Sequence, residues 1–266
     1  EIIKAAMDLK EEPVCDISYG CLSPNKCSRW EYCSEILPKN NVFDIAGLSL
    51  DKKFELYESG IVSFEEIEKN NCVSARQMEQ VSSTLYSTEP IINKKEITKF
   101  IDGLSLPLYF LDFETFQSAI PKFDGVAPFT QIPFQYSLHC VDDKNSEIVH
   151  KEFLADFGKD PRRELAERLV NDIPGDVCVV AYNMAFEKNV IKKLALMYDD
   201  LHDSLMNIHN NIRDLMVPFQ KHYYYDSKMN GSYSIKAVLP ALFPDDPELD
   251  YCNLDLIHNG IEAMIL

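Results

Sequence analysis

The sequence predicts an α/β domain built on a mixed sheet flanked by helices, preceded by a small cysteine-rich and helical segment. Three observations carry this. Strand patterns follow one another at "PLYFLDFE" (107–114), "IPFQYSLHCV" (132–141) and "EIVHKEFLA" (147–155). The continuously apolar "VCVVAY" (177–182) reads as a strand buried on both faces. Helical periodicity brackets it over about 160–172 and 184–198, with Phe186, Val190 and Leu194 on one face of the second helix.

Taken in order, the first three strands are consecutive and closely linked, the last two by the turn Asp142-Asp143-Lys144-Asn145, which predicts an antiparallel meander. Strand and helix then alternate, so the later strands should pair in parallel. A meander followed by such units is the element order of a ribonuclease H-like domain, placed here over 106–266. Residues 41–105 read as a mostly helical connector; "LSLDKKFELYESGIVSFEEIEKN" splits into two short helices at Ser59-Gly60, where the glycine supplies a C-cap. Residues 1–40 hold a cysteine cluster with too little apolar periodicity to build a core alone.

The 266 residues, 46% of them hydrophobic, suffice for one sizeable core and a second small unit. A net charge of −17 argues against a protein that coats nucleic acid through a broad basic surface. It leaves room for a nuclease, because a site that gathers acids for metal ions adds negative charge that the ions offset locally. No run approaches the roughly 20 apolar residues of a membrane span, and no signal-peptide pattern opens the chain. The expectation is a soluble, cytoplasmic protein without a membrane partner. The chain begins at Glu1 and stops within Ala263-Met264-Ile265-Leu266, which reads as a piece of a longer protein.

Asp112 and Glu114 lie on one face of the first strand, about 7 Å apart along it. Two carboxylates at a strand end suit Mg²⁺ or Mn²⁺, hard ions that take oxygen ligands. A strand end whose acids simply reach water fits the same D-x-E pattern. Glu187 follows the apolar strand within the first turns of the next helix, where open α/β sheets bind ligands; an exposed helix glutamate near the N-terminal dipole is the plainer alternative. Asp214 in "NIRDLMVPF" reads as a supporting acid near the sheet edge. In "NGSYSIKAVLPALF", Gly231 gives a turn, Ser232 or Ser234 caps a helix, and Lys236 in its first turn could meet a phosphate. Tyr223-Tyr224-Tyr225 reads as core filling and a strand rather than a base-stacking surface. Cys15, Cys21, Cys27 and Cys33 recur every six residues, which suggests thiolate ligands for Zn²⁺ or an iron–sulfur cluster, although zinc sites usually space cysteines more closely. Cys140 and Cys178 sit in apolar strands as inert core residues.

"LDFET" followed by "YNMAFEKNVI" resembles the first two motifs of the DnaQ-like DEDD exonucleases. A closer likeness is to a bacterial family of unknown function in which a PD-(D/E)XK-type nuclease domain precedes a cysteine cluster and a DnaQ-like domain. Its stretches stand here as "YFLDFET", "IPFQYSLH", "AYNMAFEK", "RDLMVPF" and "GSYSIKAVLPALFP", spanning nearly the whole chain. The resemblance implies a two-metal Mg²⁺ or Mn²⁺ site on Asp112, Glu114 and Glu187, with Asp214 as a lesser ligand. It implies substrate contacts at Thr115, Asn183, Ser234 and Lys236, and a [4Fe–4S] cluster on Cys21, Cys27 and Cys33 completed by Cys15 or by an upstream cysteine. Two departures matter: Glu187 stands where most such enzymes have Asp, and the last metal-binding Asp is expected beyond Leu266, with His258 and Glu262 not assigned in its place.

The expected function is therefore a divalent-metal-dependent 3′–5′ exonuclease domain acting on single-stranded DNA or RNA, partnered by an upstream nuclease domain of the same chain, and weak or inactive without the last acid. The alternative is a catalytically inactive nucleic-acid-binding or scaffolding module of a larger nuclease.

Overall fold

The computed structural model describes residues 16–86, 89–143 and 146–249, together with Lys10. Cys15, Lys144, Asn145, His258 and Glu262 lie outside the described residues. The chain divides into two compact units: Glu1–Pro90 with Asp226–Ser232, and Ile91–Tyr225 with Tyr233–Leu266.

In the first unit the cysteine segment, with helix α1 (Trp30–Ser34), packs Ile17 and Trp30 on Phe54. The segment that cannot form a core alone thus borrows one. The Trp30 ring meets Phe43 edge-on at 5.2 Å. Helices α2 (Leu50–Glu58) and α3 (Phe64–Asn70) are the two short helices read from the sequence. Gly60 follows α2 with φ +76°, the left-handed backbone that favours glycine. Ser63 and Glu66 form a reciprocal capping box that fixes where α3 starts. With α4 (Ala75–Tyr86), these helices bury Val42, Ile45, Leu56, Phe64, Ile67 and Val81. Residues 226–232 return to this unit, where a Cβ on Gly231 would stand 2.6 Å from Ala46 and Gln80. The glycine read as a turn former is therefore also a point of close approach.

The second unit starts with the short strand β1 (Ile91–Ile92) and helix α5 (Lys94–Asp102), so that its boundary falls before the predicted connector ends. Its sheet comprises β2 (Leu108–Phe116), β3 (Ile132–Val141), β4 (Val149–Leu154), β5 (Cys178–Ala181) and β6 (Ile212–Asp214). The order is β4-β3-β2-β5-β6. The first three strands pair antiparallel, and β2 with β5 and β5 with β6 pair in parallel, as the element order predicts.

Alternation along the strands separates two faces. Tyr109, Leu111, Phe113, Tyr136, Leu138 and Cys140 point into the core. They meet helices α6 (Arg162–Asp172), α7 (Ala185–Met197) and α8 (His202–Asn211) through Leu165, Leu169, Ile191, Leu194, Leu205 and Ile208. Asp112, Glu114, Ser137 and His139 alternate with the core residues and are half-buried or exposed. The chain continues through α9 (Val217–Gln220), β7 (Tyr224–Tyr225), which pairs antiparallel with β1, and α10 (Ile235–Leu242). Tyr225 is buried and stacks on His222 at 4.6 Å, in keeping with core filling by the tyrosine run. Among the described residues no helix is long and apolar enough to cross a membrane.

Candidate active site

Parallel pairing aligns the carboxyl ends of β2, β5 and β6. Phe110 is level with Val180, so Asp112 stands just past the end of β5, and Asp214 at the end of β6 is level with Ala181. Chain leaving β5 passes through Tyr182 and Asn183 into α7, whose inward row runs Glu187, Val190, Ile191 and Leu194. Helical spacing puts Glu187 on the same stripe as the core residues below it. Glu187 is only 3% exposed, so it is not the solvated helix glutamate of the plainer reading. Phe186, placed on the inner face from the sequence, is half-buried against the same core.

The carboxylates feel one another. Burial drives the Glu187 pKa from 4.5 up to about 7, with its own backbone N–H opposing and the charges of Asp112 and Asp214 adding. Burial also raises Glu114, helped by Asp112 beside it. Asp112 reaches solvent, yet the crowded strand end thins its hydration and raises its pKa too. Glu187 Oε2 is fully enclosed and has no hydrogen-bond partner among the described residues. A buried acceptor without a partner costs about 1–3 kcal/mol, and more when charged. Asp112 thus acts electrostatically on both Glu114 and Glu187, while Asp214 acts on Glu187 from the other side.

Asp214 is differently employed. Its Oδ1 accepts from the backbone N–H of Asn183 at 2.9 Å and of Met216 at 2.9 Å. Its Oδ2 accepts from Met184 N–H at 3.2 Å. Two of these three backbone bonds hold the turn that launches α7, and the third closes the turn after Asp214 itself. Asn183 sits in that turn at φ +67°, a left-handed conformation that Asn tolerates better than most residues. Asp214 therefore positions Glu187 rather than offering a free ligand.

The remaining candidates occupy the rim of this end. Thr115 follows a break in register opposite Pro133, where Glu114 pairs with Gln135 and Phe134 is the extra residue. Such a bulge re-aims neighbouring side chains. Pro133 within the second strand pattern was the available signal for it. The exposed Asn183 faces the turn itself. Tyr182 donates its hydroxyl to the Tyr233 carbonyl at 2.7 Å, tying the approach to α10 to the end of β5. Ser234 then takes the N-cap position of α10 and Lys236 its first turn, both exposed. Tyr182 was not singled out from sequence, because its partner is a distant backbone carbonyl.

The cysteines lie in the other unit. Cys27 N–H donates to the Cys21 carbonyl at 2.8 Å, and Cys33 lies on α1 just beyond. All three thiols are free. Among the described residues no three His, Cys, Asp or Glu side chains stand together as a ready metal-holding group, at either the cysteine segment or the sheet end. For a divalent cation at the sheet end, the orphaned Glu187 oxygen and the uncompensated repulsion among acids are the features that fit. For the cysteine segment nothing comparable supports a cluster.

Residues 109–234 match a family model described as a domain of unknown function (DUF2779). The matched stretch contains Asp112, Glu114, Glu187 and Asp214. Among curated proteins, the chain is 28% identical over 182 residues to "Uncharacterized protein UU173" of Ureaplasma parvum serovar 3, an alignment covering 64% of the chain and 26% of that protein. It is 30% identical over 144 residues to "Uncharacterized protein MG366 homolog" of Mycoplasma pneumoniae, covering 50% of the chain and 22% of that protein. The chain spans about a quarter of the length of these relatives. No solved structure matches the chain. The family match coincides with the site: it runs from β2 to the start of α10 and includes Asp112, Glu114, Glu187 and Asp214.

Proposed function

We propose that this chain is a divalent-metal-dependent exonuclease domain that hydrolyses the phosphodiester bonds of single-stranded nucleic acid. The observation that carries this reading is the enclosed, unpartnered Glu187 oxygen beside Asp112, at the sheet end where Glu114 also emerges. Mg²⁺ or Mn²⁺ held by Asp112, Glu114 and Glu187 would supply Lewis-acid activation of water and charge for the leaving oxygen. The protein's own part is then specific. Asp112, the most exposed of the three, meets incoming solvent and phosphate; burial biases Glu187 toward its protonated form, and a cation would displace that proton. Asp214 holds the α7 turn in place, and Lys236 and the rim residues Thr115, Asn183 and Ser234 face the substrate's backbone. The upstream nuclease domain and the iron–sulfur or zinc centre of the resembled arrangement add no step here.

That no three-ligand group stands ready among the described residues favours one rival, a nucleic-acid-binding module that keeps the fold without the chemistry. Release of nucleotides from 3′-labelled single-stranded DNA and RNA, in Mg²⁺ or Mn²⁺, separates the two. The natural full-length protein carrying Asp112→Ala should lose that release by at least about a hundredfold relative to wild type. Equal rates in wild type and variant would sink the exonuclease reading and leave the binding module.

A further inference from the structure

Beyond Glu114, strand β2 continues to Phe116, so Asp112, Glu114 and Phe116 follow one another at two-residue spacing. Phe116 opens a cavity of about 440 Å³ that it shares with Phe123, Phe134, Phe157, Lys122 and Lys159. Phe134 is the extra residue of the bulge opposite Glu114 and Thr115, so the irregularity at the acids also delivers a ring to this cavity. The rings form a wall: Phe116 meets Phe123 at 6.3 Å and Phe134 at 6.1 Å between centroids. Phe157, beside Gly158 in the loop after β4, is 100% exposed. Solvating a whole phenylalanine at a cavity mouth forgoes its burial, about 1.5–3 kcal/mol.

The charges at this mouth are opposite to those of the molecule. In a chain of net charge −17, Lys122 makes no ion pair among the described residues, and its Nζ lies 5.2 Å over the Phe116 ring. Lys159 pairs with Asp156 at 2.7 Å, so the one acid lining the cavity is already neutralised. Aromatic rings with a cation beside them take a flat, π-rich ring attached to an anionic backbone.

We infer that this cavity is a base-stacking subsite, which holds one unpaired nucleobase of a single-stranded nucleic acid while the adjoining phosphate reaches toward Lys122 and, along β2, the acids. The inference rests on the proposed function for its substrate class, and its test is built to fail separately. Binding of a short fluorescein-labelled oligothymidylate, read by anisotropy in Ca²⁺, is compared with an abasic backbone of equal length. Wild type should prefer the base-bearing strand. Phe157→Ala, which removes a fully exposed ring and cannot disturb the core, should weaken that strand about tenfold and leave the abasic one unchanged. Lys122→Ala should weaken both. Equal binding of base-bearing and abasic strands by wild type, or an unaltered affinity in Phe157→Ala, overturns the subsite even if Asp112-dependent digestion stands. Base-dependent binding that is lost with Phe157, in a protein whose digestion ignores Asp112→Ala, upholds the subsite while the exonuclease reading fails.

Discussion

Three acids are buried in the sheet unit, and two of them, Asp172 and Glu187, live in opposite surroundings. Asp172, 8% exposed at the end of α6, accepts from the Tyr136 hydroxyl at 2.6 Å and from Arg168 Nε at 3.3 Å. Lys151 Nζ stands 3.5 Å from its other oxygen. Glu187, buried still more deeply, makes no ion pair among the described residues and faces the like charges of Asp112 and Asp214. The first acid is a structural tie whose bonds offset its desolvation. The second is a cost that, among the described residues, only its own backbone N–H partly offsets. Burial of a carboxylate alone does not mark a site; burial without a partner does.

The largest expected effect breaks the satisfied acid. Asp172→Ala strands the fully buried Tyr136 hydroxyl and removes the counter-charge of two cations that are themselves partly solvated. The loss should be about 2–4 kcal/mol in urea denaturation, with metal affinity unchanged. If Asp172→Ala is as stable as wild type, the contrast between the two acids collapses.

The next effect tests the unsatisfied acid. Glu187 titrates at 4.5 when unfolded and at about 7 when folded. A carboxyl whose folded pKa is raised contributes its stability fully below pH 4.5, and that contribution is lost as pH climbs through about 7. Chelator-treated protein should therefore weaken across this window by roughly 3 kcal/mol at most, with the raised pKa values of Asp112 and Glu114 acting in the same direction. Glu187→Gln should flatten that slope and exceed wild type in stability at pH 8. Mn²⁺ should restore wild type at pH 8 and leave the variant unmoved, as cation binding to the folded state requires. A wild type whose stability is level from pH 5 to 8 in chelator would show that Glu187 finds a partner after all.

These contrasts also explain what could be read before the fold was known. Strands β2 and β3 were legible because their alternation runs long enough to outweigh local propensity, and β5 because its short run is apolar throughout. β6 spans only Ile212–Asp214, and three residues carry no period. Glu187 was legible as an acid at a helix start, and its burial was latent in the same pattern: it precedes Val190, Ile191 and Leu194 at core spacing. The partners that distinguish Asp214 from a ligand are backbone N–H groups contributed mainly by another strand's exit turn, so no side-chain motif could reveal them. The aromatic cavity was missed because Phe116, Phe123, Phe134 and Phe157 come from separate strands and loops; only the bulge-forming Pro133 and the Phe157-Gly158 turn hinted at it. The domain boundaries drawn from composition also differ from the compact units. The cysteine segment's few apolar residues pack on the first helices, and α5 and residues 226–232 are claimed by contacts distant in sequence.

Asp214 offers the smallest and sharpest test, because it is buried like the other two yet satisfied by backbone rather than by cations. Asp214→Asn keeps shape and removes charge. The amide oxygen can retain the Asn183 and Met216 N–H groups, both of which bond Oδ1, whereas the amide nitrogen would oppose the Met184 N–H. One lost bond predicts a stability change of about 1 kcal/mol. Removing a like charge also lowers the Glu187 pKa, but at pH 8 that gains little, and the lost negative charge weakens the attraction for a cation. If the turn were only packing, Mn²⁺ affinity of Asp214→Asn, measured calorimetrically at pH 8, should fall only by this lost attraction, and the deficit should shrink in high salt. If Asp214 sets the direction in which Glu187 leaves β5, affinity should fall several-fold and the deficit should persist in high salt. We expect the persistent deficit, because Met184 is the N-cap residue of the helix that carries Glu187, and a shift there moves the carboxylate away from Asp112.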